Sequence, residues 1–141
     1  MPPGYLLDTN VVSEVARPHP HQNVVTFLEA ARVSQTLVCI SVLTLGELRK
    51  GVASRRVRDA EGAARLARWV DEIEADFAER ILSVDRAVAR IWGELSASRP
   101  LPVVDTLIGA TAIAHGLTLV TRNVRDMAVG GIDLVNPWHG D

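Results

Sequence analysis

The stretch YLLDTNVVSEV, residues 5–15, contains a short apolar run, an acidic residue and then a helical pattern. The apolar run predicts a strand over residues 5–7 that ends at Asp8, and Asn10 is expected to cap a short helix that runs to Val15. The same order, a compact strand and then an amphipathic helix, recurs along the chain. Such alternation predicts an α/β fold with a central, mostly parallel sheet that helices cover on both faces.

The other elements are predicted from apolar runs and from apolar stripes with helical spacing. Further strands are expected at residues 37–40, 81–84, 117–121 and 132–135, and helices at the stripes within residues 24–31, 45–52, 66–77, 88–95 and 107–114. Ser41 is expected to cap the helix that follows the second strand. The segment 107–114 is apolar on nearly every face, which predicts a helix that is buried on most sides.

Length and composition indicate one globular domain over residues 1–141, since 48% of the residues are hydrophobic and 23% are charged. The formal net charge is −2, so composition alone does not indicate a nucleic-acid binder. No apolar run approaches the roughly 20 residues of a membrane span, and the first residues lack a signal-peptide pattern. Cys39 is the only cysteine, which fits a reducing compartment. We therefore expect a cytoplasmic protein that does not contact a membrane.

Four carboxylates stand in settings that are unusual for solvated side chains. Asp8 ends an apolar strand, Glu47 lies inside an otherwise apolar helical run, and Asp105 opens the most buried helix. Asp126 lies in a helix-like segment after the turn at residues 121–123. The remaining acids lie on amphipathic helices and are expected to face solvent.

A carboxylate within apolar sequence is costly unless something compensates its charge. Any one such acid is more often a helix cap or a hydrogen-bond partner than a catalytic group. In parallel sheets, however, ligands bind at the carboxyl ends of the strands, where Asp8 and the turn at residues 121–123 are expected. Carboxylates that converge there repel one another, and a hard cation with oxygen ligands, Mg²⁺ or Mn²⁺, relieves that repulsion.

Four stretches, in this order, resemble the motifs of PIN-domain toxins of the VapC type: LLDTNVVSE (6–14), SVLTLGELRKG (41–51), PVVDTLIGATA (102–112) and LVTRNVRDM (119–127). The closing LVNPW, residues 134–138, is similar to the tail of the FitB-like branch. The resemblance covers nearly the whole chain, although Met127 stands where the family often has phenylalanine. It implies a PIN-like three-layer α/β/α sandwich.

The resemblance also implies a metal site. Asp8 and Asp105 would be its main ligands, with Glu47 completing the inner cluster. The fourth ligand would be Asp126 or Asn123. Four further residues would orient ligands or water, or bind the substrate, although a local backbone hydrogen bond is an equal alternative for the threonines: Thr9, Thr106, Thr121 and Arg122.

The function that the resemblance implies is hydrolysis of RNA phosphodiester bonds with Mg²⁺ or Mn²⁺, by the toxin of a type II toxin–antitoxin system. A homodimer, neutralised by a cognate antitoxin in a hetero-oligomer, would be expected. Operator DNA would be bound only through the antitoxin. Positive charge for the RNA would come from arginines and the single lysine near the motifs: Arg49, Lys50, Arg55, Arg56, Arg58, Arg122 and Arg125. Trp69 and Trp92 lie on core stripes and are expected to be packing residues rather than surfaces on which bases stack. The RNA would therefore be recognised by its shape or its backbone.

Two alternatives remain open. In the first, Asp8 is the nucleophile of a phosphatase or phosphoacceptor domain, but such enzymes need a second acid where Asn10 stands, and a downstream lysine, whereas Lys50 is the only lysine. In the second, a PIN scaffold acts only by binding. The four histidines occupy no motif position and are interpreted as incidental: His19, His21, His115 and His139.

Overall fold

The computed structural model describes residues 4–97 and 100–139. In this part of the chain the strands are β1 (Tyr5–Leu7), β2 (Val38–Ser41), β3 (Ile81–Leu82), β4 (Thr118–Val120) and β5 (Leu134–Val135). The α-helices are α1 (Thr9–Val15), α2 (Gln22–Val33), α3 (Val42–Arg56), α4 (Ala60–Phe77), α5 (Arg86–Ser96) and α6 (Val103–Ala114), and short 3₁₀ helices lie at Ala78–Arg80 and Pro137–His139. None of the helices described here is both long and apolar enough to cross a membrane.

The strands form one sheet in the order β3-β2-β1-β4-β5, and every pairing is parallel. The central strand is β1, in which Leu6 pairs with Cys39 on one side and Leu119 on the other. Beyond the strand, the backbone N–H of Asp8 still donates to the Val120 carbonyl at 2.8 Å. The first strand of the chain is therefore paired along both of its edges.

Successive strand residues point to opposite faces of the sheet, and this produces two cores. Leu6 and Leu119 pack with helices α5 and α6, whereas Leu7 and Val120 pack with helices α1 to α4. The result is a three-layer α/β/α sandwich, as the sequence predicted. Helix α6 is buried along most of its length, which confirms the prediction for residues 107–114.

Of the two predicted helix caps, one is confirmed and the other is wrong. Ser41 caps α3, because its hydroxyl accepts the backbone N–H of Leu43 at 3.0 Å. The cap of α1 is Asp8 rather than Asn10, since the chain turns into the helix directly after the strand and Asp8 is the last extended residue. The amide of Asn10 is thereby left for contacts across the sheet edge.

Some predicted boundaries also differ. Strand β3 holds two residues instead of four, because the chain leaves the sheet to reach Asp85, the cap of α5. Strand β5 begins at Leu134 rather than at residue 132, after Gly130 and Gly131, whose φ angles of 55° and 82° turn the chain. Residues 124–127 form turns rather than a helix.

Candidate active site

Asp8 is buried at the carboxyl end of the central strand, with 5% of its surface exposed. One carboxylate oxygen accepts the backbone N–H of Thr9, and the other accepts the Thr121 hydroxyl, each at 2.8 Å. Burial raises the pKa of Asp8, the hydrogen bonds from Thr121 and Thr9 oppose this, and the negative charges of Asp105 and Glu47 raise it further. Asp8 is therefore a buried acid that is held in one orientation and repelled by other acids.

Glu47 lies just beyond the first turn of helix α3, and its carboxylate accepts a hydrogen bond from one hydroxyl group. The Thr9 hydroxyl donates to Glu47 Oε1 at 2.6 Å and lies 3.0 Å from the Thr44 hydroxyl. Because a hydroxyl has one proton, Thr9 must accept from Thr44. Thr44 was not predicted from the sequence, although it lies three residues before Glu47, on the same helix face, and is fully buried.

Asp105 lies in the first turn of α6 and is partly buried. Burial raises its pKa, and the charges of Glu47 and Asp126 raise it further. Each of the four acids thus appears in an electrostatic interaction with at least one other, and Asp105 interacts with Asp8 as well. The carboxylates lie at the carboxyl edge of β1 and β4 and at the helix ends beside it.

The acids do not form a ready-made ligand cluster. Across residues 4–97 and 100–139, no group of three or more His, Cys, Asp or Glu side chains is arranged to hold a metal ion. The donor chemistry nevertheless fits one, because all the donors are carboxylate oxygens, which Mg²⁺ and Mn²⁺ prefer. The mutual repulsion that raises the pKa of Asp8 and Asp105 is what a divalent cation would relieve.

Thr121, which is fully buried, connects the ends of β1 and β4. Its hydroxyl donates to Asp8 and accepts from the Asn10 side chain at 3.3 Å and from the backbone N–H of Asn123 at 3.0 Å. The side-chain oxygen of Asn10, Oδ1, in turn accepts the Arg122 backbone N–H at 3.3 Å. Asn10 therefore belongs to the site, a role that the sequence did not indicate.

Other predicted site residues lie elsewhere or act differently. The Thr106 hydroxyl donates to the Pro102 carbonyl. This is the local backbone hydrogen bond that was the alternative to a role in the site. Asn123 contacts the network through its backbone. Arg49 is paired with Asp71 and Glu74 of α4, at 2.6 and 3.2 Å, and is not free to bind a phosphate.

One of the four histidines that were interpreted as incidental has a structural role. His21 caps α2, because its Nδ1 accepts the backbone N–H of Asn23 at 3.1 Å. The side chain of Asn23 donates to the Trp138 carbonyl at 2.7 Å, so the start of α2 holds the tail of the chain. This contact places Trp138 beneath Arg122, whose guanidinium lies 5.0 Å from the ring centre.

Comparison with known proteins identifies the family. The PIN domain family matches residues 5–129. Toxin FitB of Neisseria gonorrhoeae is 34% identical over 139 residues, covering 95% of this chain and 98% of that protein. VapC ribonuclease Y4jK of Sinorhizobium fredii is 32% identical over 141 residues, covering 94% and 96%.

Solved structures agree with the sequence comparisons. The crystal structure of FitAcB from Neisseria gonorrhoeae superposes with a TM-score of 0.84 at 34% identity, covering 96% of this chain and 99% of that one. The structure of FitAB bound to the IR36 DNA fragment gives 0.85 at 32% identity, with 97% of each chain covered. The chain therefore belongs to the PIN-domain family, in the branch that contains toxin FitB and the VapC ribonucleases.

Proposed function

We propose that this protein is the toxin of a type II toxin–antitoxin system and that it hydrolyses RNA with the help of a divalent cation. The observation that carries the proposal is the mutually repelling group of buried Asp8 and partly buried Glu47 and Asp105 at the carboxyl edge of the sheet. Relatives that match nearly the whole chain are named as a toxin and as a ribonuclease. The acids and the family point to the same chemistry.

Asp8, Asp105 and Glu47 would hold Mg²⁺ or Mn²⁺, with Asp126 as the fourth acid. We choose Asp126 over Asn123 because its charge acts on Asp105, whereas Asn123 contacts the site through its backbone. When bound, the cation lowers the pKa of a water molecule and stabilises charge on the phosphate.

The chain's own residues orient the acids and handle the proton. Thr121 and the Thr9 backbone N–H favour the ionised form of Asp8, and the Thr9 hydroxyl fixes Glu47. Asp126 is exposed at the rim of the site and is the better placed acid to accept the proton of the attacking water, since Glu47 Oε1 already accepts from Thr9.

A cognate antitoxin is the protein partner that we propose, because the similar solved structures are of FitAB and VapBC complexes. Some of those complexes hold DNA, and we assign DNA binding to the antitoxin rather than to this chain. We also propose that the protein forms a homodimer and that it acts in the cytoplasm.

Cleavage of total RNA by the purified protein tests the function. We expect cleavage with Mn²⁺ or Mg²⁺, its loss in EDTA, and a loss of about 100-fold or more in Asp8→Asn and Asp105→Asn. Asp133→Asn, the same change at an exposed position, serves as the control and should retain activity. Growth arrest on expression should follow the same pattern.

Contrary outcomes favour the two alternatives. Cleavage that persists in EDTA would rule out the metal mechanism. A phosphoaspartate at Asp8 would indicate the phosphoacceptor chemistry. A protein that binds its antitoxin but never cleaves RNA would be a binding module.

A further inference from the structure

The candidate site poses an electrostatic problem for RNA. The four candidate carboxylates lie near the proposed position of the scissile phosphate, and the chain as a whole has a formal charge of −2. Binding of nucleic acid depends on cations that contact phosphates. At least one cationic side chain must therefore lie close to the acids and be free to make such a contact.

Several arginines near the motifs are already engaged. Arg49 is paired with two acids of α4, Arg55 is paired with Asp59, and Arg17 is paired with Glu14. A charge that is held in an ion pair contributes less to phosphate binding, since the pair must first be broken. These residues are therefore poor candidates for the contact.

Arg122 differs from them in its surroundings. It takes part in no salt bridge within the described part of the chain. Its guanidinium lies over the Trp138 ring, 5.0 Å from the centre, which is within the range of a cation–π interaction. It directly follows Thr121, whose hydroxyl is bonded to Asp8. Arg122 thus makes no direct salt bridge, although its charge helps to lower the pKa of Glu14, and it adjoins the residue that is bonded to the candidate ligand Asp8.

Both the backbone of Arg122 and its aromatic support are fixed. The Arg122 N–H donates to Asn10, and its carbonyl accepts from the Asn136 side chain at 3.4 Å. The Trp138 ring is buried, and the Trp138 backbone is tied to Asn136 by a 2.9 Å bond and to Asn23 by a 2.7 Å bond. An arginine fixed in this way loses little conformational entropy when it binds a ligand.

Stacking on tryptophan leaves the hydrogen-bonding capacity of arginine unused. The cation–π contact forms no hydrogen bond with the guanidinium N–H groups, and these donors can bind two phosphate oxygens together. We propose that Arg122, supported by Trp138, binds a backbone phosphate of the RNA beside the carboxylate site. The identity of the ligand as RNA rests on the proposed function.

RNA binding without cleavage tests the contact. In an Asp105→Asn background, which preserves the bond between Thr121 and Asp8, binding of a fluorescein-labelled single-stranded RNA of mixed sequence is followed by anisotropy at several salt concentrations. Arg122→Gln should weaken binding about 10-fold. The slope of log K against log salt should fall by about 0.7, the value for one lost phosphate contact on a single strand.

Two further variants sharpen the result. Arg90→Gln removes the same charge from an exposed residue of α5 that lies outside the motifs, and should change affinity less than about 2-fold. Arg122→Lys keeps the charge but not the planar stack, and should bind at least about 3-fold more weakly than the parent. Equal losses in Arg122→Gln and Arg90→Gln, or an unchanged slope in Arg122→Gln, would overturn the proposal. Full affinity in Arg122→Lys would overturn the part assigned to Trp138.

Cleavage by the unmodified chain is measured in parallel, so that the two proposals can fail separately. If the chain cleaves no RNA with any metal but Arg122→Gln still loses affinity, the enzymatic function fails and the phosphate contact stands. If cleavage is metal-dependent but Arg122→Gln binds RNA like its parent, the phosphate contact fails and the enzymatic function stands.

Discussion

Replacing Thr121 with valine tests whether Asp8 is held as an ionised group. Thr121→Val preserves shape but removes the hydroxyl that donates to Asp8 at 2.8 Å in a fully buried position. A hydrogen bond to a charged group contributes about 1.5–3 kcal/mol, and the acceptor would be left without its partner. We expect the metal-free protein to lose about 2–3 kcal/mol of unfolding free energy near neutral pH, or about 10 °C in Tm.

The loss should depend on pH in a definite direction. The Thr121 bond lowers the pKa of Asp8, so its extra stabilisation is present when Asp8 is ionised and disappears as pH falls through the pKa of Asp8 in the folded protein. At an acid pH below the raised pKa of Asp8, only the bond between neutral groups remains, and the loss should shrink to about 1 kcal/mol.

Thr111→Val is the matched control, to be measured by urea denaturation in EDTA at both pH values. Thr111 is also fully buried, but its hydroxyl donates to the neutral Leu107 carbonyl at 2.8 Å. Its loss should be about 1 kcal/mol or less and independent of pH. If the two variants lose the same free energy with the same pH dependence, the hydroxyl of Thr121 does not stabilise an ionised Asp8.

Four further substitutions test the packing and the charges. Gly109→Ala should cost about 1–3 kcal/mol in urea denaturation, because its Cβ would lie 2.7 Å from Ile132 Cδ1. Gly46→Ala, in open space on α3, should instead stabilise by about 0.5–1 kcal/mol; a loss there would contradict this. The pKa of Glu14 is lowered chiefly by a backbone hydrogen bond, so Glu14→Gln should destabilise the protein at neutral pH, and the difference should vanish as acid protonates Glu14. Thermal melts at several pH values check this, and a difference independent of pH would disprove it. Burial and two neighbouring acids raise the pKa of Asp105, so Asp105→Asn should raise the Tm of the EDTA-treated protein near neutral pH. The same substitution should reduce the increase in Tm that Mn²⁺ produces. An unchanged increase in Tm would show that Asp105 is not a ligand.

The layers of the fold could be predicted from the sequence because they depend on local patterns. In a sheet that is covered on both faces, the apolar run at residues 5–7 fits a buried strand. The segment at residues 107–114, which is apolar on nearly every face, fits a helix that is buried on most sides. The position of Asp8 at a strand end followed from the same reasoning. The range 1–141 as one domain stays a prediction.

Contacts between distant elements could not be predicted in the same way. Arg49 follows Glu47 closely in sequence, but the packing of α3 on α4 places Asp71 and Glu74 beside it. The role of Asn10 depended on which residue is the last extended one before α1. Because helix α1 is capped by Asp8, two residues earlier than predicted, the Asn10 side chain is not a cap and instead donates a hydrogen bond to Thr121. These outcomes are set by tertiary packing, which no local pattern contains.

The central place of β1 has a consequence for protein synthesis. Leu7 pairs with Val120, so one edge of the first strand stays open until the ribosome has made β4. Pairings between residues so far apart form late in folding. A nascent polypeptide therefore carries Asp8 without Asp105 or Thr121 for most of its translation, and the candidate site cannot be assembled until Thr121 has been made.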